Sequence, residues 1–336
     1  MDMTEHVIEV TGLRRRYGSA ASGGSKAGRK GGVTALGRKR GGDTGAGGFE
    51  AVRGLDFQVR RGEVFALLGT NGAGKTSTVE VLEGLARPTA GKVAVLGLDP
   101  FADRAAVRPR IGIMLQEGGF PSDLTVAETA RMWSGCVTGA RPIQEALELV
   151  GIEDRASVRV KMLSGGERRR LDLAMSLIGY PEVLFLDEPT TGLDPEARQQ
   201  TWALIRRLRD AGTSIMLTTH YLDEAEKLAD RLAIMHEGQI VHSGTPAEVS
   251  AQQPSRIRFR LPHGVLPAHL PTSLRAAAHG DQIEIRTQDL QRDLTELMLW
   301  AQQQHVALEQ LNARTASLEE AFLDIARQQP QLEGAL

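Results

Sequence analysis

The chain has 336 residues, and its 40 Lys and Arg against 42 Asp and Glu give a formal net charge of −2 at pH 7. This balance gives no sign of a nucleic-acid-binding surface. The single cysteine, Cys136, excludes a disulfide within the chain and fits a reducing cytosol, and we expect it to be a small core residue. No apolar run is long enough to cross a bilayer, and Met1–Val10 is too polar for a signal peptide, so we expect a soluble protein.

Residues 19–48 differ in composition from the rest of the chain. Of these 30 residues, 11 are Gly, 6 are Lys or Arg, and 1 is acidic. A segment with so few apolar side chains cannot bury enough surface to offset the entropy lost on ordering it. We therefore predict a disordered insertion, which is either passive or uses its basic residues to contact phospholipid head groups or a partner.

A glycine-rich motif follows the next strand. The apolar run Val64–Leu68 predicts that strand, and Gly69–Thr76 continues it with the pattern G-x-x-x-x-G-K-T. Glycines let the backbone curl so that successive N–H groups point at phosphates, and the helix predicted over Lys75–Ala86 directs its positive end at the same anion. Lys75 adds a positive charge, and Thr76 adds a hydroxyl suited to Mg²⁺. The pattern predicts binding of a nucleoside triphosphate; the alternative is an ordinary glycine-rich turn.

Beyond this loop, strand and helix patterns alternate. Val183–Leu186 is short and wholly apolar, as expected for a strand buried on both faces, and Ser214–Thr218 predicts a second buried strand. Further strands are predicted within residues 49–95, and helices over residues 122–135, 142–150, 164–179 and 198–211, the last one ended by Gly212. The alternation predicts an α/β fold with a mainly parallel sheet flanked by helices.

After about Gly244 the pattern changes. The predicted elements are strands over residues 256–260 and 282–286, a helix over 290–304, a possible strand over 306–311 and a last helix opened by a capping box at 317–320. We predict a compact α+β domain over residues 252–330. It contains no recognisable set of catalytic residues.

Each of the three predicted buried strands is followed by residues that can bind or react. These are the glycine-rich loop, the pair Asp187–Glu188 and the pair Thr219–His220. Ligands of open α/β sheets bind at the carboxyl ends of strands, so we expect these ends to converge on one site. Asp187 would hold Mg²⁺, and Glu188 would orient and polarise an attacking water as general base. Taken alone, an Asp-Glu pair after a strand is equally consistent with a solvated turn.

Leu163–Glu167 has the sequence L-S-G-G-E at the start of a predicted helix. Ser164, two glycines and a helix N-terminus together make a second anion cradle. Taken alone, the same residues are a helix-capping signal that links Ser164 to Glu167. Only the other motifs of the chain distinguish these two interpretations.

The whole set of motifs resembles the ATP-binding subunits of ABC transporters. Six stretches match in the family's order: Gly69–Thr76, a glutamine loop at Met114–Glu117, the signature Leu163–Glu167, Val183–Glu188, Gly192–Pro195 and His220. The match covers residues 4–17 and about 49–246. It implies an α/β phosphate-loop NTPase core with an antiparallel β subdomain and a helical subdomain at about residues 124–157. Residues 1–246 would then form one ATPase domain, followed by the small C-terminal α+β domain.

The resemblance also implies roles for individual residues. The phosphates would contact Gly69, Asn71, Gly72, Ala73, Gly74, Lys75, Thr76 and Ser77, and adenine would stack on Tyr17. The implied catalytic residues are Glu188 as base, His220 at the γ-phosphate and Gln116, which with Thr76 and Asp187 also serves Mg²⁺. ATP held by a second protomer would contact Ser164, Gly165, Gly166 and Glu167, and Asp194 would lie at the protomer interface. ATP and Mg²⁺ are therefore the implied cofactors.

The sequence departs from the family pattern in two places. Removing residues 19–48 restores the usual spacing between Tyr17 and Phe49, so we interpret them as an insertion in a β-hairpin near adenine. Thr70 stands where the family usually has Pro. We expect little effect from this change because the loop donates hydrogen bonds from its backbone.

A finer resemblance is to drug-resistance exporters of the daunorubicin type. It rests on Leu115–Gly119, Arg168–Ala174, Thr219–Ala225 and the tail Ser317–Ala326. It implies an ATPase that drives efflux of a drug, antibiotic or other hydrophobic compound through a separate integral membrane permease. The second ATPase protomer is expected to be another copy of the chain. The protein is expected to be peripheral, at the cytoplasmic face of the bacterial plasma membrane, with no nucleic-acid partner.

Two other classes of protein are weighed against this one. A non-transport ABC ATPase acting on nucleic acid or ribosomes usually has two ATPase modules, a long coiled coil or a zinc insertion, whereas this chain has one module and one cysteine. A phosphate-loop kinase or GTPase is opposed by Ser164–Glu167 and by the absence of an Asn-Lys-x-Asp guanine motif. The motifs do not specify which compound is transported.

Overall fold

The computed structural model describes residues 5–18, 48–115, 119–262, 264–274, 276–279, 282–319 and 321–322. Its strands are β1 (His6–Tyr17), β2 (Phe49–Arg60), β3 (Val64–Gly69), β4 (Ala90–Val95), β5 (Ile111–Met114), β6 (Val183–Asp187), β7 (Ser214–Thr219), β8 (Arg231–His236), β9 (Gln239–Gly244), β10 (Ser255–Arg260), β11 (Ala276–His279), β12 (Gln282–Thr287) and β13 (Glu309–Arg314). Its helices are α1 (Lys75–Leu82), α2 (Arg104–Val107), α3 (Val126–Ser134), α4 (Ile143–Val150), α5 (Gly165–Leu177), α6 (Pro195–Asp210), α7 (Leu222–Leu228), α8 (Pro246–Ala251) and α9 (Leu290–Gln303). Short 3₁₀ turns lie at Arg108–Arg110, Glu153–Arg155, Val160–Met162 and Pro267–His269.

A central sheet has six strands in the order β5-β6-β7-β3-β8-β9. All neighbouring strands in it are parallel except β8 and β9, which are antiparallel. The apolar run of β3 is divided between the two faces: Ala66 and Leu68 enter one hydrophobic cluster, and Phe65 and Leu67 enter another. Strands of this kind must be apolar throughout because both of their faces are covered. The predicted α/β class with a mainly parallel sheet is confirmed.

A second sheet is antiparallel, with the strand order β2-β1-β4. In the β1–β2 hairpin, Tyr17 pairs with Phe49. The two ends of the predicted insertion are in contact, since a Cβ on Gly18 would lie 2.5 Å from the Cα of Gly48. The hairpin position expected from the sequence is therefore confirmed. Residues 19–47 lie outside the described residues, so their predicted disorder stays a prediction.

Helices α3 and α4 lie within the stretch predicted as a helical subdomain. Thr125 caps α3 by accepting from the Glu128 N–H at 3.2 Å, and the Glu128 carboxylate accepts from the Thr125 N–H at 2.8 Å. Gly151 ends α4 with a φ of +67°, the usual conformation of a helix-ending glycine. Among the described residues, no helix combines the length and apolarity needed to span a membrane.

Cys136 is exposed, so the expectation that it is a core residue is wrong. Helix α3 ends at Ser134, and Cys136 lies in the following turn with its Sγ 3.6 Å from the carbonyl oxygen of Met132. The buried face of α3 is formed by residues such as Val126 and Ala130. Because the helical period stops before Cys136, that residue does not continue the buried face.

The C-terminal sheet has four antiparallel strands in the order β11-β12-β10-β13. Phe259 and Ile283 from the sheet pack with Leu297 of α9 in a third hydrophobic cluster. The predicted strand over residues 306–311 is displaced to β13, because Val306 turns inward to pack against this cluster before the strand begins. Strand β11 has the sequence AAAH, and alanine gives little β-propensity from which to predict it.

The chain after β13 returns to the core beside the central sheet. Leu318 is fully buried in the same cluster as Leu68, and its N–H donates to the Glu226 carboxylate at 3.3 Å. This contact ties the end of the C-terminal region to α7.

Leu318→Ala should lower the free energy of unfolding by about 2–5 kcal/mol, because it leaves a cavity in a packed core. Urea denaturation followed by circular dichroism measures the loss. Leu311→Ala is the matched control, since Leu311 is 38% exposed and its truncation should cost less than about 0.5 kcal/mol. Equal losses in the two variants would contradict the buried placement of Leu318.

Candidate functional site

The phosphate loop begins where β3 ends, and α1 begins at Lys75. Gly72 and Gly74 have φ angles of +85° and +102°, in the left-handed region that favours glycine. A Cβ on Gly74 would lie 2.3 Å from the carbonyl oxygen of Ala51, so a side chain there would force the backbone to move. These two glycines are therefore required by the path of the loop and by its close packing against β2.

The side chain of Lys75 is buried inside the loop. Its Nζ donates to the carbonyl oxygens of Gly69 at 2.6 Å and of Thr70 at 3.3 Å. Burial lowers the pKa of Lys75, and the nearby carboxylates of Glu188 and Asp187 act in the opposite direction. An anion in the loop would give this ammonium group stronger hydrogen bonds than two neutral carbonyl oxygens do.

Asp187 ends β6 and is 8% exposed. The hydroxyl of Thr218, on the adjacent strand β7, donates to Asp187 Oδ1. Burial raises the pKa of Asp187, while the Thr218 hydrogen bond and the positive charges of Arg169 and Lys75 lower it. A carboxylate in such a place is stabilised by a cation beside it.

Glu188 and His220 meet at the ends of β6 and β7. The Glu188 carboxylate lies 2.9 Å from Nδ1 of His220 and accepts a 3.2 Å hydrogen bond from the hydroxyl of Thr191. The Glu188 side chain is only 10% exposed. The predicted pair is thus brought together, and Thr191, which the sequence interpretation missed, orients the same carboxylate. A carboxylate held from two sides has the fixed position that a general base needs.

A cavity of about 530 Å³ lies over the phosphate loop. Its lining residues are Tyr17, Phe49, Ala51, Asn71, Gly72, Gly74, Lys75, Thr76, Ser77, Asp187 and Glu188. All of them except Phe49 and Ala51 belong to the predicted site. Phe49 is 62% exposed, and an exposed aromatic residue opposite Tyr17 in the hairpin is the sequence signal that could have identified it.

Tyr17 lies at the edge of this cavity. Its hydroxyl is 3.1 Å from Ser77 Oγ and 3.2 Å from a carboxylate oxygen of Glu80. The guanidinium of Arg15 lies 4.7 Å from the ring centroid, a cation–π contact that covers part of the ring. With 39% of the residue exposed, the ring keeps a surface on which a planar base could stack.

The signature residues and Asp194 do not line this cavity. Ser164 caps α5 by accepting from the Glu167 N–H at 3.2 Å, and the Glu167 carboxylate accepts from the Ser164 N–H at 2.8 Å. Asp194 caps α6 by accepting from the N–H of Ala197 at 2.9 Å. The predicted capping box is therefore confirmed, while Gln116 lies among residues 116–118, outside the described residues.

Glu83, which the sequence interpretation missed, is a buried carboxyl at the end of α1. It follows α1 directly and is 2% exposed. Burial raises its pKa from 4.5 to about 8; the charges of Asp187 and Glu80 add to the rise, and Arg108 opposes it. The folded protein therefore keeps this carboxyl protonated at neutral pH.

This proton makes stability depend on pH. The unfolded chain releases the Glu83 proton near pH 4.5 and the folded protein near pH 8, so the Glu83 contribution to stability falls as pH rises through that window. Glu83→Gln is neutral at every pH, so its free energy of unfolding relative to the parent should rise by several kcal/mol between about pH 5 and about pH 9. Urea denaturation without nucleotide at both pH values measures this difference. A constant difference would contradict the buried, protonated carboxyl, and Glu237→Gln, at an exposed position, is the control.

Comparison with known proteins shows which family this chain belongs to. The family model described as ABC transporter matches residues 52–191, and that described as ABC transporter domain-containing protein-like, C-terminal domain, matches residues 255–317. The chain is 38% identical over 291 residues to the daunorubicin/doxorubicin resistance ATP-binding protein DrrA of Streptomyces peucetius; the match covers 82% of this chain and 88% of that protein. The chain belongs to the ABC transporter ATP-binding proteins.

Other relatives of this ABC ATPase match about three fifths of the chain. The daunorubicin resistance ATP-binding protein DrrA3 of Streptomyces coeruleorubidus is 44% identical over 208 residues, which cover 60% of this chain and 66% of that protein. The Nod factor export ATP-binding protein I of Burkholderia orbicola is 44% identical over 201 residues, which cover 58% of this chain and 66% of that protein.

Solved structures show the same ABC ATPase fold. An ATP-binding subunit of an ABC transporter superposes with a TM-score of 0.59 at 24% identity, over 73% of this chain and 92% of that one. A dimeric bacterial ABC transporter cassette superposes with a TM-score of 0.58 at 20% identity, over 71% and 98%. The predicted fold class is confirmed by these likenesses.

The membership confirms the predicted family, including its drug-resistance exporter branch. The chain is an ABC exporter ATPase that binds and hydrolyses ATP. A non-transport ATPase acting on nucleic acid or ribosomes is not favoured, because the relatives are named as resistance and export proteins. The roles of the individual site residues stay predictions.

Proposed function

We propose that this ATPase drives efflux of a drug, antibiotic or other hydrophobic compound through a separate integral membrane permease. It would act as a homodimer at the cytoplasmic face of a bacterial plasma membrane, with ATP and Mg²⁺ at each site. The similarity to daunorubicin resistance proteins supports the class of cargo. Other relatives are named for Nod factor export, which supports the view that related ATPases drive export of more than one kind of compound.

One observation carries the proposal: the predicted ATP ligands lie on two separate surfaces of one chain. The phosphate loop, Asp187 and Glu188 share a cavity, whereas the signature residues do not line it. Ser164 and Gly165 are exposed at the start of α5, where helix N–H groups favour an anion. A second copy of the chain would supply its signature to complete each site, and the dimeric cassette among the solved structures supports this arrangement.

The residues at the cavity fit Mg²⁺. Thr76 offers a hydroxyl and Asp187 a carboxylate, both hard oxygen donors beside the phosphate loop. Mg²⁺ is usually held by one or two carboxylates together with substrate phosphates and waters, not by a cage of protein ligands. We infer that Thr76, Asp187 and Gln116 serve the ion, which neutralises phosphate charge when bound.

In this mechanism Glu188 orients the attacking water and takes its proton, while His220 and Thr191 fix the carboxylate. Lys75 would exchange its two carbonyl partners for phosphate oxygens. The γ-phosphate contacts the opposite signature only when the two chains are closed around it, so ATP favours the closed dimer. Hydrolysis removes that contact, the dimer opens, and the motion passes to the permease.

Changing Ser164 to Arg tests the shared site. A large charged side chain at the start of α5 should prevent ATP-dependent dimerisation, because it would occupy the place of the partner's γ-phosphate. The monomer should still bind a fluorescent ATP analogue with unchanged affinity, since its own phosphate loop is intact. Analytical ultracentrifugation with and without MgATP measures the dimer. Ser122→Arg, at an exposed position before α3, is the control and should dimerise normally. Dimerisation and full activity of Ser164→Arg would overturn the shared site.

Co-purification tests the transport role. The tagged full-length chain, isolated from detergent-solubilised membranes of its own cells, should bring with it an integral membrane protein with several spans. Candidate drugs should then stimulate ATP hydrolysis by the complex. Recovery of ribosomes or nucleic acid in place of a membrane protein would favour the non-transport alternative and overturn the proposal.

A further inference from the structure

Arg169 is a buried cation in the first half of α5, five residues after Ser164, and 9% of it is exposed. Its guanidinium donates to the carbonyl oxygens of Leu115 at 2.6 Å and of Glu188 at 2.7 Å, and also to that of Asp187. Its carboxylate neighbour, Asp172, lies 3.7 Å away on the same helix. Arg169 thus joins α5 to the backbone of the predicted catalytic strand end and to Leu115 of the predicted glutamine loop.

The backbone that Arg169 holds is strained. Glu188 has a φ of +51°, which costs a residue with a side chain on the order of 1–3 kcal/mol and persists only where the surroundings enforce it. Three contacts restrain this backbone. The Glu188 N–H donates to the carbonyl oxygen of Thr218 at 3.0 Å, and the Glu188 carbonyl oxygen accepts from the Thr191 N–H at 3.2 Å and from Arg169 at 2.7 Å. Without Arg169, one of these three restraints is gone, and it is the one that comes from α5.

The position of Arg169 also connects two surfaces of the chain. Ser164 begins α5, and five residues of helix separate it from Arg169 by about 7.5 Å along the axis. A helix of this length moves as a rigid body, so a displacement of its N-terminus displaces the guanidinium as well. Its hydrogen bonds to the carbonyl oxygens of Asp187 and Glu188 would then lengthen or shift.

We propose that Arg169 is a positioning residue that holds Glu188 in its working orientation and makes that orientation depend on where α5 lies. This inference rests on the proposed role of Glu188 as the base. Because the N-terminus of α5 would contact ATP in the opposite protomer, Arg169 would link occupancy of one site to water activation in the other. ATP hydrolysis by the dimer would then be cooperative through this side chain.

The test compares Arg169→Gln and Arg169→Lys with Arg168→Gln in the full-length chain. Arg168 precedes Arg169 on α5, carries the same charge and is exposed, so it controls for the loss of charge. Arg169→Gln should lower kcat for MgATP on the order of 10²-fold, the size expected when a catalytic group is misplaced by about 1 Å. Its affinity for a fluorescent ATP analogue should change less than about twofold, and the Hill coefficient should fall towards one. Arg169→Lys, which keeps the charge, should recover part of kcat.

A double variant separates positioning from general damage. If Arg169 acts through Glu188, adding Arg169→Gln to Glu188→Gln should slow the residual hydrolysis no further. Additive losses, or a loss of nucleotide affinity and folded protein that Arg169→Lys does not restore, would overturn the inference. Normal hydrolysis by Glu188→Gln alone would instead overturn the base assigned under the proposed function, so the two failures are distinguishable.

Discussion

Glu188→Gln should bind ATP but hydrolyse it roughly 10²–10⁴-fold more slowly than the parent. The amide has nearly the size of the carboxylate and keeps one of the two oxygens that contact His220 and Thr191, but it cannot take a proton from water. ATP would persist in the closed state, so the variant should accumulate as a dimer in MgATP. Phosphate release and ultracentrifugation measure the two effects.

The control for this change is Glu309→Gln, which removes one negative charge at an exposed position in β13. It should hydrolyse ATP at the parental rate and dissociate after turnover. A Glu188→Gln protein with parental activity would show that another group activates the water. His220, which contacts the same carboxylate, would be the next residue to examine.

Lys75→Ala should weaken nucleotide binding roughly 10²-fold, because a hydrogen bond between charged groups contributes about 1.5–3 kcal/mol and 1.4 kcal/mol is a factor of ten. Burial lowers the pKa of Lys75, which means that the folded protein holds the charged form at a cost. Removing the amine should therefore not destabilise the fold. Fluorescence titration with a labelled ATP analogue measures the affinity, and thermal denaturation measures the stability.

Lys92→Ala is the matched control for Lys75→Ala, since Lys92 is exposed on β4 and does not line the phosphate-loop cavity. Its nucleotide affinity should equal that of the parent. Unchanged affinity in Lys75→Ala would show that the backbone of the loop supplies the whole binding energy. A joint loss of affinity and stability would point to a folding defect instead.

The convergence of strand ends could be predicted because it follows from sheet geometry alone. Asp187 and Glu188 end one parallel strand, the phosphate loop follows β3, and His220 follows β7 between them. Parallel strands present their carboxyl ends at one edge, so the order of polar residues along the chain is sufficient to locate the cavity.

Element boundaries were less predictable where the start signal is not apolar. The predicted start of α6 at Arg198 is wrong by three residues: the helix begins at Pro195 and is capped by Asp194. Apolar periodicity detects the body of a helix, whereas Asp followed by Pro is the sequence signal for its first turn.

Contacts between residues that are far apart in the sequence could not be predicted. Glu83 is buried at the end of α1, where burial and the charge of Asp187 raise its pKa; Arg169 donates to a carbonyl oxygen 54 residues away; and Leu318 packs in the same core as Leu68. A sequence pattern shows that one face of an element is buried but not which residue lies opposite. The sequence pattern therefore does not identify a buried polar side chain whose hydrogen-bond partners come from distant parts of the chain.

The pairing of Tyr17 with Phe49 at the end of β1 and β2 makes this hairpin tolerant of changes in the length of its connecting loop. Since the strands pair as far as Tyr17 and Phe49, lengthening a flexible connection between them costs about 0.6 kcal/mol for each doubling of its length. A reporter peptide spliced between Gly18 and Gly48 would leave the strand pairing intact. Its fluorophore would sit next to the two aromatic rings that border the nucleotide cavity and would report each binding event from there.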